Sequence, residues 1–311
     1  MSFSYKEISF PSSDGKNTVR GYLYIPEGEV RGVVQLSHGM IDYVGRYTRI
    51  IEHLTAQGYV FAGNDHLGHG KTAASPEDFG FFASRDGYKR VIDDLFSMNK
   101  LLHEEFPECP IVLFGHSMGS FVARLYATEH RESIDALIIH GTSGPNPLLG
   151  MGKCVIAALK LLRGERHRSK LVTGIAFGSY NDHYPKSEGS NAWLTREIAL
   201  VADRDTDPYT SFIFTLSGYG DLFKLIGKCN EREWFDTFPC DLPTLVISGE
   251  DDPVGNYGKG VRYVHEKLSE RGVKELSLKL YPGARHELFN ETNRAEVFSD
   301  LTDWISANAK R

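Results

Sequence analysis

The chain has 311 residues, of which 41% are hydrophobic and 24% are charged, and its formal net charge is -6 at pH 7. These values are typical of a globular protein with one large α/β domain or two ordinary domains, and they argue against disorder. The acidic balance gives no support for nucleic-acid binding, and the sequence has no run of about 18 apolar residues that would predict a membrane span.

The amino terminus and the cysteines together predict a cytoplasmic protein. The first residues are polar and lack the apolar core of a signal peptide. The four cysteines show no C-x-x-C spacing, so reduced thiols are expected rather than a disulfide framework. We therefore expect no stable membrane insertion, while transient contact with a membrane surface stays open.

The amino-terminal part of the chain predicts a hairpin followed by two buried strands. Segments 5–11 and 18–25 alternate apolar and polar residues on either side of turn-forming residues, which indicates an antiparallel hairpin. Gly32–Ser37 and Tyr59–Gly63 are short apolar runs typical of strands that are covered on both faces. The spacing of apolar residues predicts a helix between them over Tyr47–Gln57.

The next feature is a serine in a G-x-S-x-G pattern. The apolar run Ile111–Phe114 leads into Gly115, Ser117 and Gly119, and a helical pattern follows at once. Glycines on both sides of the serine permit a sharp strand-to-helix turn, because a Cβ there would clash with neighbouring backbone. Such a nucleophile elbow exposes the serine hydroxyl and points the first amides of the helix at whatever the serine attacks.

The alternation of strands and helices stops after a predicted strand over Ile134–His140 and resumes with another over Pro243–Gly249. The residues between are too many for a structureless loop in a compact domain. We therefore predict one α/β core, formed by residues 1–140 and 239–311, with a mostly helical cap over residues 141–238. The remaining predicted elements are helices over 88–105, from the elbow to about 130, over 260–270 and over 293–307, and a strand over Leu276–Tyr281.

A serine hydroxyl needs an adjacent base to act as a nucleophile near neutral pH. Active groups on a parallel sheet lie just past the carboxyl ends of the strands, and the histidines in such positions are His38, His66, His69, His140 and His286. We assign His286 as the base, because it alone of these follows a strand of the resumed core. A carboxylate must orient this base, and both Asp251 and Asp252 follow the preceding strand. The residues themselves do not decide between the two.

An acyl-transfer reaction also requires donors for the negative oxygen of its tetrahedral intermediate. The N–H of Met118 lies at the start of the helix after Ser117 and is the first candidate. The second donor must come from the loop after the strand Gly32–Ser37. We expect the N–H of Met40 there, held in place by His38 and Gly39.

These motifs resemble those of the α/β-hydrolase superfamily. The chain is most similar to the serine-aminopeptidase-like group of monoacylglycerol lipases and bacterial lysophospholipases, and the likeness extends over essentially the whole chain. The stretches that carry it are His38–Met40, Asp65–Gly70, Gly115–Gly119, Asp207–Pro208, Gly249–Asp252 and Gly283–His286. The resemblance implies a mostly parallel eight-stranded sheet with helices on both faces and a helical cap. It also implies that the acid is Asp252, with Asp251 as the alternative.

The leading functional hypothesis is a serine ester hydrolase, in which Ser117 forms an acyl-enzyme that water then hydrolyses with help from His286. The resemblance implies small-molecule esters with an acyl chain, such as monoacylglycerols or lysophospholipids, and no cofactor. His66 and His69 are three residues apart, but no third ligand is at hand, so no metal site is predicted.

Two alternatives stay open at this point. One is an aminopeptidase similar to proline iminopeptidases, which would need carboxylates in the cap to bind the ammonium group of its substrate. Candidate carboxylates are Glu165, Glu188, Glu197, Asp203, Asp205 and Asp207. The other alternative is a non-catalytic receptor for a small molecule on the same scaffold.

Overall fold

A computed structural model describes residues 3–310 of the protein, and a single eight-stranded sheet forms its centre. The strands are β1 (Phe3–Pro11), β2 (Thr18–Pro26), β3 (Gly32–Ser37), β4 (Tyr59–Asn64), β5 (Ile111–His116), β6 (Ala136–His140), β7 (Thr244–Gly249) and β8 (Leu276–Tyr281). Their order in the sheet is β1-β2-β4-β3-β5-β6-β7-β8. The pairs β1–β2 and β2–β4 are antiparallel and the others are parallel. The predicted hairpin and the predicted mostly parallel sheet are both confirmed.

Ten α-helices accompany the sheet in the described part of the chain. They are α1 (Thr48–Ala56), α2 (Gly87–Glu105), α3 (Met118–Glu129), α4 (Leu149–Arg163), α5 (Lys170–Phe177), α6 (Ile198–Thr206), α7 (Leu216–Lys228), α8 (Arg232–Thr237), α9 (Lys259–Arg271) and α10 (Arg294–Asn308). The predicted boundaries of helices and strands lie within about two residues of the observed ones. Two of the differences come from short turns. Val44–Tyr47 is a 3-10 turn ahead of α1, and Arg131–Ser133 is a 3-10 turn that delays the start of β6.

Apolar layers cover both faces of the sheet. On β5, Ile111 and Leu113 belong to one layer, with residues of α2, α3 and α9. Val112 and Phe114 belong to the other layer, with residues of α1 and α10. Successive side chains of a strand point to opposite faces, so burial on both faces explains why the central strands are uninterrupted apolar runs rather than alternating ones.

Residues 141–238, all of which the structure describes, contribute no strand to the sheet and contain α4 to α8. Helix α7 packs against α2 and α3. We propose that this segment is the cap of the protein. Within residues 3–310, no helix combines the length and the apolar character needed to cross a membrane.

Candidate active site

Ser117 lies in the turn between β5 and α3, with φ 54° and ψ -119°. Non-glycine residues rarely adopt a positive φ, so the surrounding structure must hold this conformation. The flanking glycines allow the turn to pack closely. A Cβ on Gly115 would lie 2.5 Å from the carbonyl oxygen of Gly119, and a Cβ on Gly119 would lie 1.8 Å from that of Ser37. The turn thus brings the serine to the carboxyl end of the central strand, pressed against the end of β3.

We expect the substitution Gly119→Ala to lower the free energy of unfolding by about 3 kcal/mol or more, because its Cβ would meet backbone that cannot move independently. Denaturant unfolding would measure this change. Gly174→Ala is the matched control, since a Cβ on Gly174 of α5 would have no neighbouring atom within 4 Å and alanine favours a helix. A Gly119→Ala variant as stable as Gly174→Ala would contradict the close approach of α3 to β3.

His286 and Asp252 form a buried pair. His286 Nδ1 lies 2.8 Å from Asp252 Oδ2, and the two side chains are only 2% and 0% exposed. Ser248 Oγ donates to the same carboxylate oxygen at 3.1 Å, and the N–H of Val254 donates to Oδ1 at 2.9 Å. With the proton of the imidazole on Nδ1, the Nε2 atom is free to accept a proton from a substrate or nucleophile.

The other candidate acid is placed differently. The side chain of Asp251 is exposed to solvent. Its backbone N–H donates to the carbonyl of Ala284 at 2.9 Å, and its carbonyl accepts a hydrogen bond from the hydroxyl of Tyr184. The geometry therefore favours Asp252 as the partner of His286, in line with what the resemblance implied.

His38 orients the loop that follows β3. Its Nε2 accepts from the N–H of His66 at 2.9 Å, so Nδ1 carries the proton and donates to the carbonyl of Gly39 at 2.8 Å. Because a trans peptide points its C=O and N–H in opposite directions, the N–H of Met40 points away from His38. Met40 lines the same cavity as Ser117.

Met118 lines this cavity as well, and it is the first residue of α3. The first N–H groups of a helix have no partner within the helix. The place of Met118 at the start of α3 and the direction of the Met40 N–H are compatible with the predicted oxyanion hole, which stays a prediction.

A charged cluster beside the site was not predicted from the sequence. Arg46 contacts Asp42 at 2.9 Å and Glu287 at 3.1 Å, and the hydroxyl of Tyr47 donates to Asp42 at 2.7 Å. Burial favours the neutral carboxyl groups, but the Arg46 guanidinium outweighs it and keeps the pKa of Asp42 and of Glu287 below the usual range. The spacing of Asp42 and Arg46 was visible in the sequence, whereas nothing there joins Arg46 to Glu287, 241 residues away.

Ser117 and His286 open onto one cavity of about 630 Å³. Its apolar lining comes from both parts of the chain and includes Phe121, Phe177, Leu222, Ile226 and Val254. Polar and charged residues, among them Asn146, Arg204 and Lys259, line the cavity as well. A concave cavity of this size that combines apolar walls with polar groups is typical of a small-molecule site.

The sequence left open whether a group of apolar cap residues lines an acyl pocket or forms the core of the cap. The group comprises Phe212, Ile213, Phe214, Leu216, Leu222 and Phe223. Of these, Leu222 lines the cavity. Phe212 stacks on Phe79 with ring centroids 4.8 Å apart, and Phe214 is fully buried beside His69. Phe212 and Phe214 therefore pack residues 141–238 against the core.

Known proteins match this chain along most of its length. Residues 28–293 match the family described as serine aminopeptidase, S33. The monoglyceride lipase of Homo sapiens is 33% identical over 98% of this chain and 92% of its own length. The monoacylglycerol lipase of Mycolicibacterium smegmatis is 25% identical over 98% of each chain.

Solved structures match it as well. The structure of a highly thermostable carboxyl esterase from Bacillus coagulans, in complex with glycerol, superposes with a TM-score of 0.92 at 30% identity. The superposition covers 99% of this chain and 100% of that one.

Proposed function

Because this chain belongs to the serine aminopeptidase S33 family of α/β hydrolases, we propose that it is a serine hydrolase of monoacylglycerols or closely related carboxylic esters. The observed sheet and the structural matches confirm the α/β-hydrolase fold, and the relatives support the general class of ester hydrolase. The observation that carries the finer proposal is the buried pair of Asp252 and His286, which shares a cavity with Ser117.

In the proposed reaction, Ser117 Oγ attacks the ester carbonyl while His286 Nε2 accepts the hydroxyl proton. The N–H groups of Met40 and Met118 stabilise the oxyanion that forms. Collapse of the tetrahedral intermediate breaks the bond to the alcohol, which leaves with the proton from His286. Water then attacks the acyl-enzyme by the same steps, with Asp252 holding the imidazole in the required tautomer, and releases the acid and the free serine.

The apolar lining of the cavity supports an acyl chain as the part of the substrate that it binds. We expect kcat/KM on a series of monoacylglycerols to rise about fourfold per methylene until the cavity is filled, since burying a methylene contributes about 0.8 kcal/mol. Release of glycerol would be measured across chain lengths, with Ser117→Ala as the blank. Turnover confined to the shortest esters would exclude this substrate class.

A substitution in the wall of the cavity tests directly whether the acyl chain binds there. Ile226→Trp would fill part of the space beside Leu222 and should move the preferred substrate to shorter acyl chains. Leu161→Trp is the matched control, because Leu161 is 91% exposed on α4 and does not line the cavity. An unchanged chain-length profile in Ile226→Trp would place the acyl chain elsewhere.

The family description itself raises the aminopeptidase alternative. None of the six cap carboxylates considered as ammonium ligands lines the cavity in the described part of the chain. Glu188 pairs with Arg285 and Glu197 pairs with Arg294. We therefore expect no hydrolysis of proline p-nitroanilide at a rate near that of the preferred ester. Cleavage of the anilide faster than that of the ester would favour the aminopeptidase. The other alternative, a non-catalytic receptor, would be favoured if a fluorophosphonate failed to label Ser117.

A further inference from the structure

Ile41, the residue after Met40, has φ 53°. A β-branched residue is a clear outlier at such an angle, because its side chain crowds the backbone in the left-handed region. Conformations of this kind persist only when neighbouring groups hold them. The contacts of Ile41 identify those groups, one on the core and one on the cap.

The contact on the core is His69. The N–H of Ile41 donates to His69 Nε2 at 3.2 Å, and His69 Nδ1 lies 3.0 Å from the carbonyl of Leu67, to which it donates. Burial, with the ring of His38 nearby, lowers the pKa of His69 to about 3. At neutral pH, Nε2 therefore has no proton and remains an acceptor for the Ile41 N–H.

The contact on the cap is Arg204 of α6. Its Nη2 donates to the carbonyl of Ile41 at 3.3 Å. Its Nε is buried and has no hydrogen-bond partner among residues 3–310, which destabilises the folded protein. Because burying Arg204 in this way costs stability, we look for a role of the side chain in its bond to the loop.

A second bond joins the same loop to the end of α6. The hydroxyl of Tyr43 donates to Asp207 Oδ2 at 2.7 Å. Asp207 belongs to the Asp207–Pro208 pair, one of the stretches by which the sequence resembles the family. In the structure, the carboxylate of this pair binds the loop after β3 through Tyr43. Helix α6 therefore holds the loop at Ile41, and the residue directly after α6 holds it again at Tyr43.

We propose that His69 and Arg204 are positioning residues for residues 39–42 after β3, the oxyanion loop, and that they hold this loop in the conformation that catalysis requires. Three consecutive peptide groups of the loop are each held by one side chain. His38 bonds the carbonyl of Gly39, His69 bonds the N–H of Ile41, and Arg204 bonds the carbonyl of Ile41. Together these bonds fix the direction of the Met40 N–H. Since Arg204 belongs to the cap, the oxyanion hole is complete only when α6 is in place. This inference rests on the proposed serine-hydrolase function.

We expect Arg204→Met to lower kcat about tenfold or more while KM changes by less than about twofold, because loss of an oxyanion donor acts on the transition state. Affinity for an alkyl boronic acid, a mimic of the tetrahedral intermediate, should fall in parallel with kcat/KM. The double variant Arg204→Met, Ile41→Gly should regain most of the lost kcat, since glycine adopts the positive φ of position 41 without strain. Arg163→Met, at the exposed end of α4, is the matched control and should behave as wild type.

His69 provides an independent test from the core side. His69→Gln keeps a side-chain oxygen that can accept from the Ile41 N–H, whereas His69→Leu has no acceptor. We expect the glutamine variant to retain more kcat than the leucine variant, with KM similar in both. Thermal melting of each variant would identify loss of folding. If Arg204→Met does not fold, Arg204→Gln takes its place, with the same expected fall in kcat at nearly constant KM.

Two results would overturn the inference. A raised KM with unchanged kcat in Arg204→Met would mean that Arg204 binds the substrate directly. Failure of Ile41→Gly to restore kcat would mean that strain at Ile41 is not what Arg204 opposes. Failure of the proposed function is recognised separately, because the wild-type protein would then neither hydrolyse esters nor react with a fluorophosphonate.

Discussion

Replacing Ser117 with alanine is expected to lower kcat for ester hydrolysis by on the order of a million-fold, the size of effect seen when a serine hydrolase loses its nucleophile. The alanine variant keeps the cavity, the donors of Met40 and Met118 and the pair formed by His286 and Asp252. What remains is the modest acceleration that substrate binding and oxyanion stabilisation supply without covalent chemistry. Steady-state hydrolysis and mass-spectrometric detection of a fluorophosphonate adduct would both report the loss.

The control for this variant is another serine of the same cavity. Ser143 also lines the cavity, and its carbonyl oxygen, rather than its hydroxyl, accepts the hydrogen bonds from Arg124 and Asn230. We expect Ser143→Ala to keep activity within about threefold of wild type and to be labelled normally. Labelling that persists in Ser117→Ala would assign the nucleophile to a different residue.

The second large effect is expected for Asp252→Asn, which should lower kcat by about 10,000-fold. The N–H of Val254 donates to Asp252 Oδ1 at 2.9 Å, so the amide oxygen of the asparagine will occupy that position. Its NH₂ group will then face His286 Nδ1, where it donates a hydrogen bond. The imidazole must carry its proton on Nε2 instead, and it can no longer accept the proton of Ser117.

Asp251→Asn is the matched control, since it makes the same chemical change one residue away on an exposed side chain. We expect this variant to stay within about twofold of the wild-type kcat and to melt at the same temperature. A large loss in Asp251→Asn together with near-normal activity in Asp252→Asn would reverse the assignment of the acid. Comparable losses in both would indicate a disturbance of the whole loop after β7.

Local chemistry made the elbow predictable. The steric requirement at Gly115 and Gly119 involves backbone within a few residues and the adjacent strand β3, and apolar runs on either side indicate the strand and helix that frame Ser117. The position of His286 after a strand of the resumed core then made it the predicted base. These inferences needed only sequence spacing and the rule that active groups follow the carboxyl ends of parallel strands.

The acid could not be chosen in this way. Asp251 and Asp252 have the same chemistry and follow the same strand, and only the turn after β7 decides which carboxylate faces inward. In the structure Asp252 is 0% exposed and bonded to His286, whereas Asp251 is exposed. Because the difference between them is a difference in burial, composition and spacing contain no signal for it.

What the sequence determined by itself is the order of strands and helices, the doubly covered parallel sheet and the elbow at Ser117, because each depends on short-range spacing and local sterics. What the tertiary structure decided is which distant groups meet: Glu287 with Arg46, and the strained Ile41 with His69 and Arg204. Such contacts join segments far apart in the chain, and their free energy depends on burial and on bond geometry between folded elements. The contact of Arg204 with Ile41 forms when the cap packs on the core, whereas the contacts of Glu287 with Arg46 and of Ile41 with His69 form within the core itself. No periodic pattern of residues indicates any of them in advance.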